Sequence, residues 1–145
     1  KIMVKERNPK DSQYMSALFK VCGNLERIGD HAVNICEYTK MIEEKNITFS
    51  KEVIGEIAQM REICVKALSK VESIDNGINV AEIASIEEKI DEMTEQFRKN
   101  QIDRMQVGKC SDEGCVLYSE MLTDFERIGD HILNVGQEMA GAVNE

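Results

Sequence analysis

The hexapeptide Glu26-Arg27-Ile28-Gly29-Asp30-His31 occurs twice in this chain, the second time unchanged at Glu126-Arg127-Ile128-Gly129-Asp130-His131, one hundred residues on. Asn34 has its counterpart in Asn134. Both copies lie in segments with helical periodicity. On a helix, residues four apart stand one above the other. Glu26 and Asp30 therefore share a face with Asn34 a turn beyond, and Glu126, Asp130 and Asn134 repeat the stripe. Two carboxylates one turn apart repel each other, so a stripe written twice calls for something positively charged. Gly29 and Gly129 add a second local cost, about 1 kcal/mol each relative to Ala in mid-helix. A glycine at this place in both copies reads as room for close approach, by a helix backbone or by a ligand.

The rest of the chain reads as helices. Asn8 before Pro9, with Asp11 in the first turn, is a helix start. From there Leu18, Cys22, Leu25, Gly29, Ala32 and Cys36, with a flanking row at Val21, Ile28, Ile35 and Ile42, form a broad apolar stripe. This predicts one long helix from about 9 to about 45. Ser50 caps a second helix that carries Val53, Ile57, Met60, Cys64 and Val71 to about 74, where Asp75-Asn76-Gly77 ends it. Asn79, with Glu82 three residues on, opens a third. Gly108 closes that one, and Ser111 opens a fourth, which runs to about 141. Alternating β-branched runs with hairpin turns are missing. The expected fold is all-α, an up-and-down antiparallel bundle of four main helices.

At 145 residues the chain suits one domain, with a first motif repeat over about 9–75 and a second over about 79–142. Its net charge of −9 argues against nucleic acid, whose affinity comes from a basic footprint, and suits cations. No run is long and apolar enough to span a bilayer. The chain opens at Lys1 in polar, turn-like sequence and reads as a fragment of a longer protein. Five cysteines without framework spacing point to reduced thiols and a cytosolic setting. Cys22 and Cys36 fall at apolar helix positions and read as core. Cys110 and Cys115 flank a turn, without the spacing of a zinc knuckle.

A third acidic pair, Glu87 and Asp91, repeats the one-turn spacing on the third helix. The third and fourth helices should be antiparallel neighbours, since a short loop joins them. If their acidic stripes face one groove, Glu87, Asp91, Glu126 and Asp130 converge. Four carboxylates crowd together only when protonated or holding a cation. Oxygen-only donors suit iron, manganese or magnesium better than structural zinc. His31 and His131 lie about 100° around the helix from Asp30 and Asp130. They are placed to edge the groove or bond a neighbouring helix. The Glu-x-x-His of di-iron enzymes is missing, as are a nucleophilic triad and a phosphate-cradling glycine loop. Catalysis is therefore not expected, and with no phosphate pocket visible in the sequence, direct phosphate binding is not expected either.

With these strings in view, Leu25 to Ile35 and Phe125 to Val135 resemble the duplicated Glu-x-x-x-Asp signature of the PhoU family. The likeness extends to Phe49-Ser50, to Glu87 and Asp91, and to Gly108 through Ser111, and so covers nearly the whole chain. It is most similar to the cytoplasmic PhoU-like domain that follows the membrane part of bacterial sodium–phosphate cotransporters. The resemblance implies helical bundles with pseudo-twofold repetition and multinuclear iron or zinc bound at the motifs. It implies regulation of phosphate uptake rather than an enzyme. Glu26 and Asp30, Glu126 and Asp130, and Glu87 and Asp91 would be the metal-binding pairs. Expected partners are a membrane transporter domain or phosphate transport proteins, together with a second copy of the chain in a homodimer.

Three departures bear on that expectation. The family's helix before the first motif helix has no counterpart ahead of Asn8, which leaves Glu26 and Asp30 short of partner carboxylates. Asn24 stands where the second repeat has Asp124. Gln101 stands where relatives often carry His. The alternatives are a metal-free helical scaffold or docking module, and a carboxylate-bridged metalloenzyme.

Overall fold

The computed structural model describes residues 8–72, 77 and 79–144, with the side chains of 142–144 left aside. The chain runs through α1 (Pro9–Glu44), α2 (Lys51–Glu72), α3 (Val80–Gln106) and α4 (Asp112–Asn144). The expected start signals act as such. The Asn8 side chain accepts from the Asp11 N–H at 2.9 Å, and that of Asn79 from the Glu82 N–H at 3.1 Å. Ser50 Oγ accepts from the Val53 N–H at 3.3 Å, and Ser111 Oγ from the Gly114 N–H at 3.1 Å. These satisfy N–H groups that a helix start leaves without partners. Gly108 takes φ +70°, the left-handed turn that lets the chain leave α3 and double back. Asp75 and Asn76, read as the end of the second helix, lie outside the described residues, and α4 continues three residues past its expected end.

The four helices pack around α4. It meets α2 and α3 on one side, and their shared core holds Met60, Ile83, Ile90, Tyr118, Leu122 and Ile132. On its other side α4 meets α1 along most of its length. Lys20 approaches Glu138 near one end of that seam and Lys45 approaches Glu113 at the other, so α1 and α4 are antiparallel. The α1 residues that turn inward are Ala17, Val21, Asn24, Ile28, His31, Ile35 and Tyr38, spaced alternately by four and three. That alternation is the seam of an antiparallel helix pair.

The expected burial of α1 is corrected here. The flanking row of Val21, Ile28, Ile35 and Ile42 is the one that packs. Leu18, Cys22, Leu25, Ala32 and Cys36 are exposed, Leu25 at 47%. A helix packed against one neighbour buries a narrow stripe, whereas α4, with three neighbours, is buried on most sides.

The cysteine reading is corrected as well. Cys110 and Cys115 form a disulfide across the α3–α4 connection, with Cα atoms 6.4 Å apart. The reversal at Gly108 and the first turn of α4 bring them within bridging range. Of the free thiols only Cys64 is buried, and burial pushes its pKa up to about 12.

A buried ion pair, unannounced by any motif, ties the three-helix side together. Glu56 accepts from Arg104 Nη2 at 2.6 Å, from Tyr118 Oη at 2.6 Å and from Asn100 Nδ2 at 2.8 Å. Burial alone would raise the Glu56 pKa, but these hydrogen bonds outweigh it and hold it below the usual carboxylate value. Arg104 Nε in turn donates to Gln101, whose amide reaches Cys115 Sγ. Gln101 is thus taken up in this network. One sequence signal was available, because Glu56 falls between Val53 and Met60 on an otherwise buried stripe.

Candidate metal centre

The acidic pair of α3 meets Asp130 of the second motif copy, while Glu126, expected to converge with them, stays outside the cluster and feels Asp91 and Asp130 only through their charge. Glu87, Asp91 and Asp130 each place a carboxylate oxygen within 4.8 Å of the others. Short α3–α4 connectivity makes the helices antiparallel neighbours, and one-turn spacing stacks both acids of a pair on the same face. Glycine at 129 lets the two helices close up. A Cβ there would come within 2.9 Å of Ile90 Cδ1, whose side chain is fully buried. The close-approach reading of the motif glycine therefore holds at Gly129. At Gly29 nothing lies within 4 Å of the same added atom.

The electrostatics follow from the crowding. Glu87 is half-buried, and burial, hydrogen bonding to Asp91 and Asp130, and their charges push its pKa up to about 8. Burial raises the Glu126 pKa too, reinforced by Asp91 and Asp130 and opposed by Arg98 and Arg127. Arg98 is itself held by Ser119 and Thr123 on α4, at 2.9 and 2.7 Å. The chemistry of this donor set fits a cation. It offers oxygen ligands alone, crowded so closely that the Glu87 carboxyl holds its proton well above the usual carboxylate range.

The first copy is arranged differently. Glu26 and Asp30 sit on the exposed side of α1, and no cluster of three metal-capable side chains forms around them among the described residues. Their helix contributes to the seam instead. His31 Nδ1 lies 2.7 Å from Asp124 Oδ1, and His131 Nδ1 lies 2.9 Å from Asn24 Oδ1. Asn34 donates to Asp124 and Asn134 to Asn24, at 3.3 and 3.4 Å. Every one of these residues is related to its counterpart by one hundred positions, so a pseudo-twofold axis runs through the α1–α4 seam. The two imidazoles stack near it, with centroids 5.6 Å apart. Burial lowers the His131 pKa, helped by the nearby His31 and Arg27.

The histidines thus bond the neighbouring helix, as their position around the helix predicted. Asp124, 4% exposed, is a seam residue held by His31 and Asn34. Sequence reasoning noticed the Asn24/Asp124 mismatch but read it as a change in a metal site. The pairing across the seam was hidden because it joins residues about ninety to one hundred and ten positions apart.

The PhoU domain profile matches residues 1–39 and 54–139 of this chain. A phosphate-specific transport system accessory protein PhoU homolog from Thermotoga maritima is 29% identical over 135 residues, covering 90% of this chain and 56% of that protein. A PhoU homolog of the same description from Streptococcus pneumoniae is 21% identical over 129 residues, covering 89% and 60%. An uncharacterized protein of Methanocaldococcus jannaschii is 27% identical over 126 residues, covering 84% and 40%. The chain therefore spans well under two thirds of the length of these relatives. No solved structure matches it. The family profile covers most of the chain, including both copies of the motif, and the chain belongs to the PhoU domain family.

Proposed function

We propose that this chain is a non-catalytic, metal-binding regulatory domain of inorganic phosphate transport. Glu87, Asp91, Glu126 and Asp130 would hold the cation, iron or zinc by family resemblance, with manganese or magnesium also suited to oxygen donors. The observation that carries this reading is the approach of three carboxylates within 4.8 Å. Bound there, a cation supplies the charge that lets α3 and α4 keep their acidic faces together. The names of the relatives, accessory proteins of phosphate-specific transport, support the pathway and a role other than catalysis.

The finer reading places residues 1–145 on the cytoplasmic side as one PhoU-like unit of a longer sodium–phosphate cotransporter chain, and it rests on the sequence resemblance. Glu26 and Asp30 belong to the proposal as a second, incomplete pair. The exposed Leu18, Phe19, Leu25 and Val33 around them favour a docking role for that face, including self-association as a homodimer. Size-exclusion chromatography that shows a clean monomer counts against the dimer.

Elemental analysis of the purified protein tests the metal. Near-stoichiometric iron, zinc or manganese is expected, lost in Glu126→Ala/Asp130→Ala and kept in Glu26→Ala/Asp30→Ala. A protein that stays metal-free after reconstitution overturns the reading and leaves the stripes as structural or docking surfaces.

A further inference from the structure

The chain carries a net charge of −9, yet one hollow on its surface is positive. A cavity of about 380 Å³ opens on the α1–α4 seam between Lys20, Asn24 and Arg27 of α1 and Asn134, Gln137 and Glu138 of α4. Two cations face one carboxylate there. Arg27 and Gln137 have no hydrogen-bond partner among the described residues, and Lys20 meets Glu138 only at 3.8 Å. Asn24 is fixed, with its oxygen facing His131 and Asn134 and its amide donating to the Lys20 carbonyl.

The pseudo-twofold axis supplies an internal control. It relates Lys20 to Glu120, Asn24 to Asp124, Gln137 to Glu37 and Glu138 to Tyr38, while Arg27 and Asn134 find Arg127 and Asn34. The second set holds three carboxylates against one guanidinium. The two poles of one seam thus share a backbone plan and a motif but carry opposite charge. Glu120, Glu37 and Asp124 all bear on Tyr38 there, raising its pKa together with burial, the largest cause. Random variation of surface charge has no reason to place Lys, Asn and Gln together around a hollow where the other pole has Glu, Asp and Glu.

We propose that this hollow binds a small oxyanion and selects inorganic phosphate. A guanidinium and an ammonium over amide donors suit a tetrahedral oxyanion. Glu138 decides among such anions. A carboxylate repels sulfate, which carries no proton at neutral pH, but accepts a hydrogen bond from the P–OH that phosphate retains there. The sequence alone shows no phosphate pocket. This hollow is built from side chains more than one hundred positions apart. Phosphate as the probe follows from the phosphate-regulation reading, whereas the charge of the hollow stands apart from it.

Calorimetric titration of the protein with inorganic phosphate, and separately with sulfate, tests this with and without a chelator. Wild type should bind phosphate saturably in both conditions and sulfate about tenfold more weakly or worse. Lys20→Glu/Asn24→Asp/Gln137→Glu, which writes the other pole's residues into the hollow, should abolish phosphate binding with helix content and metal content unchanged. Arg27→Gln should weaken it about tenfold and decides alone if the triple variant does not fold. Glu138→Gln should narrow the gap to sulfate. The proposal is overturned if phosphate does not bind, if neither charge variant changes the affinity, or if the chelator removes binding and so moves it to the acidic cluster. Equal affinity for sulfate overturns the selection by Glu138. A metal-free protein that still binds phosphate through Arg27 sinks the metal reading and leaves the hollow standing.

Discussion

Around Asp130 the repeated hexapeptide has α3 against it, and Ile90 occupies the space beside Gly129. Around Asp30 the same six letters look out from a helix that packs chiefly against α4, and the space beside Gly29 is open. The contrast extends along both helices. Leu122 and Phe125 are core residues, while their counterparts Cys22 and Leu25 are exposed. Identical local sequence therefore gives identical local structure, a helix with an acidic stripe, and leaves the site undecided. A carboxylate pair becomes a cluster when a second helix brings its own pair within a few ångströms. The seam between the two copies makes a complementary point. There both copies make the same His and Asn contacts across the two helices, and one Asn/Asp exchange with its neighbours sets the sign of each pole.

The largest effect expected from this contrast is in core truncation. Leu122→Ala should cost about 2–5 kcal/mol in denaturant unfolding, and Cys22→Ala, at the equivalent place, should stay within about 0.5 kcal/mol. Equal costs would mean that the open face of α1 is covered in solution, and repeating the measurement at low protein concentration would show whether a second copy covers it.

A smaller effect should appear with pH at the built copy alone. The Glu87 pKa is raised to about 8 from the ordinary 4.5, so the folded, metal-free protein holds a proton that the unfolded chain has released across that interval. Stability of the chelated protein should therefore fall as pH rises from about 4.5 toward about 8 and then level off. Cation binding displaces that proton, so apparent metal affinity should rise about tenfold per pH unit up to about 8. Paired titrations of chelated and metal-loaded protein check both slopes, and a Glu87→Gln variant should lose them.

The smallest predicted difference concerns the glycines. Gly29→Ala gains helix propensity with nothing to strike and should stabilise by about 1 kcal/mol or less. Gly129→Ala meets the buried Ile90, and overpacking of about 1–3 kcal/mol should turn the same gain into a net loss. Thermal melts of the two variants compare them directly, and a stabilising Gly129→Ala would mean that α3 and α4 are less tightly apposed than described.

Much of this was legible in the letters. Asn8-Pro9, Ser50, Asn79, Gly108 and Ser111 mark helix ends because capping is chemistry within a few residues. The pairing of Glu87 and Asp91 with Asp130 was reachable because a short loop forces α3 and α4 to be neighbours. Burial along α1 was not, since an apolar stripe records what a helix can cover and leaves open which neighbours are there to cover it. The Glu56–Arg104 pair and the Cys110–Cys115 bridge escaped for a related reason, because each depends on a meeting that no local pattern encodes.

The sequence by itself determined four helices, their antiparallel order and three acidic pairs, through periodicity, capping and loop length, all of which act over short range. Tertiary structure alone decided that one motif copy joins a carboxylate cluster while the other faces outward. It also decided that His31 and His131 stack across a pseudo-twofold seam, and that one pole of that seam is positive. Those outcomes depend on which side chains meet across one hundred residues of chain, and the distances between them are set only when the helices pack.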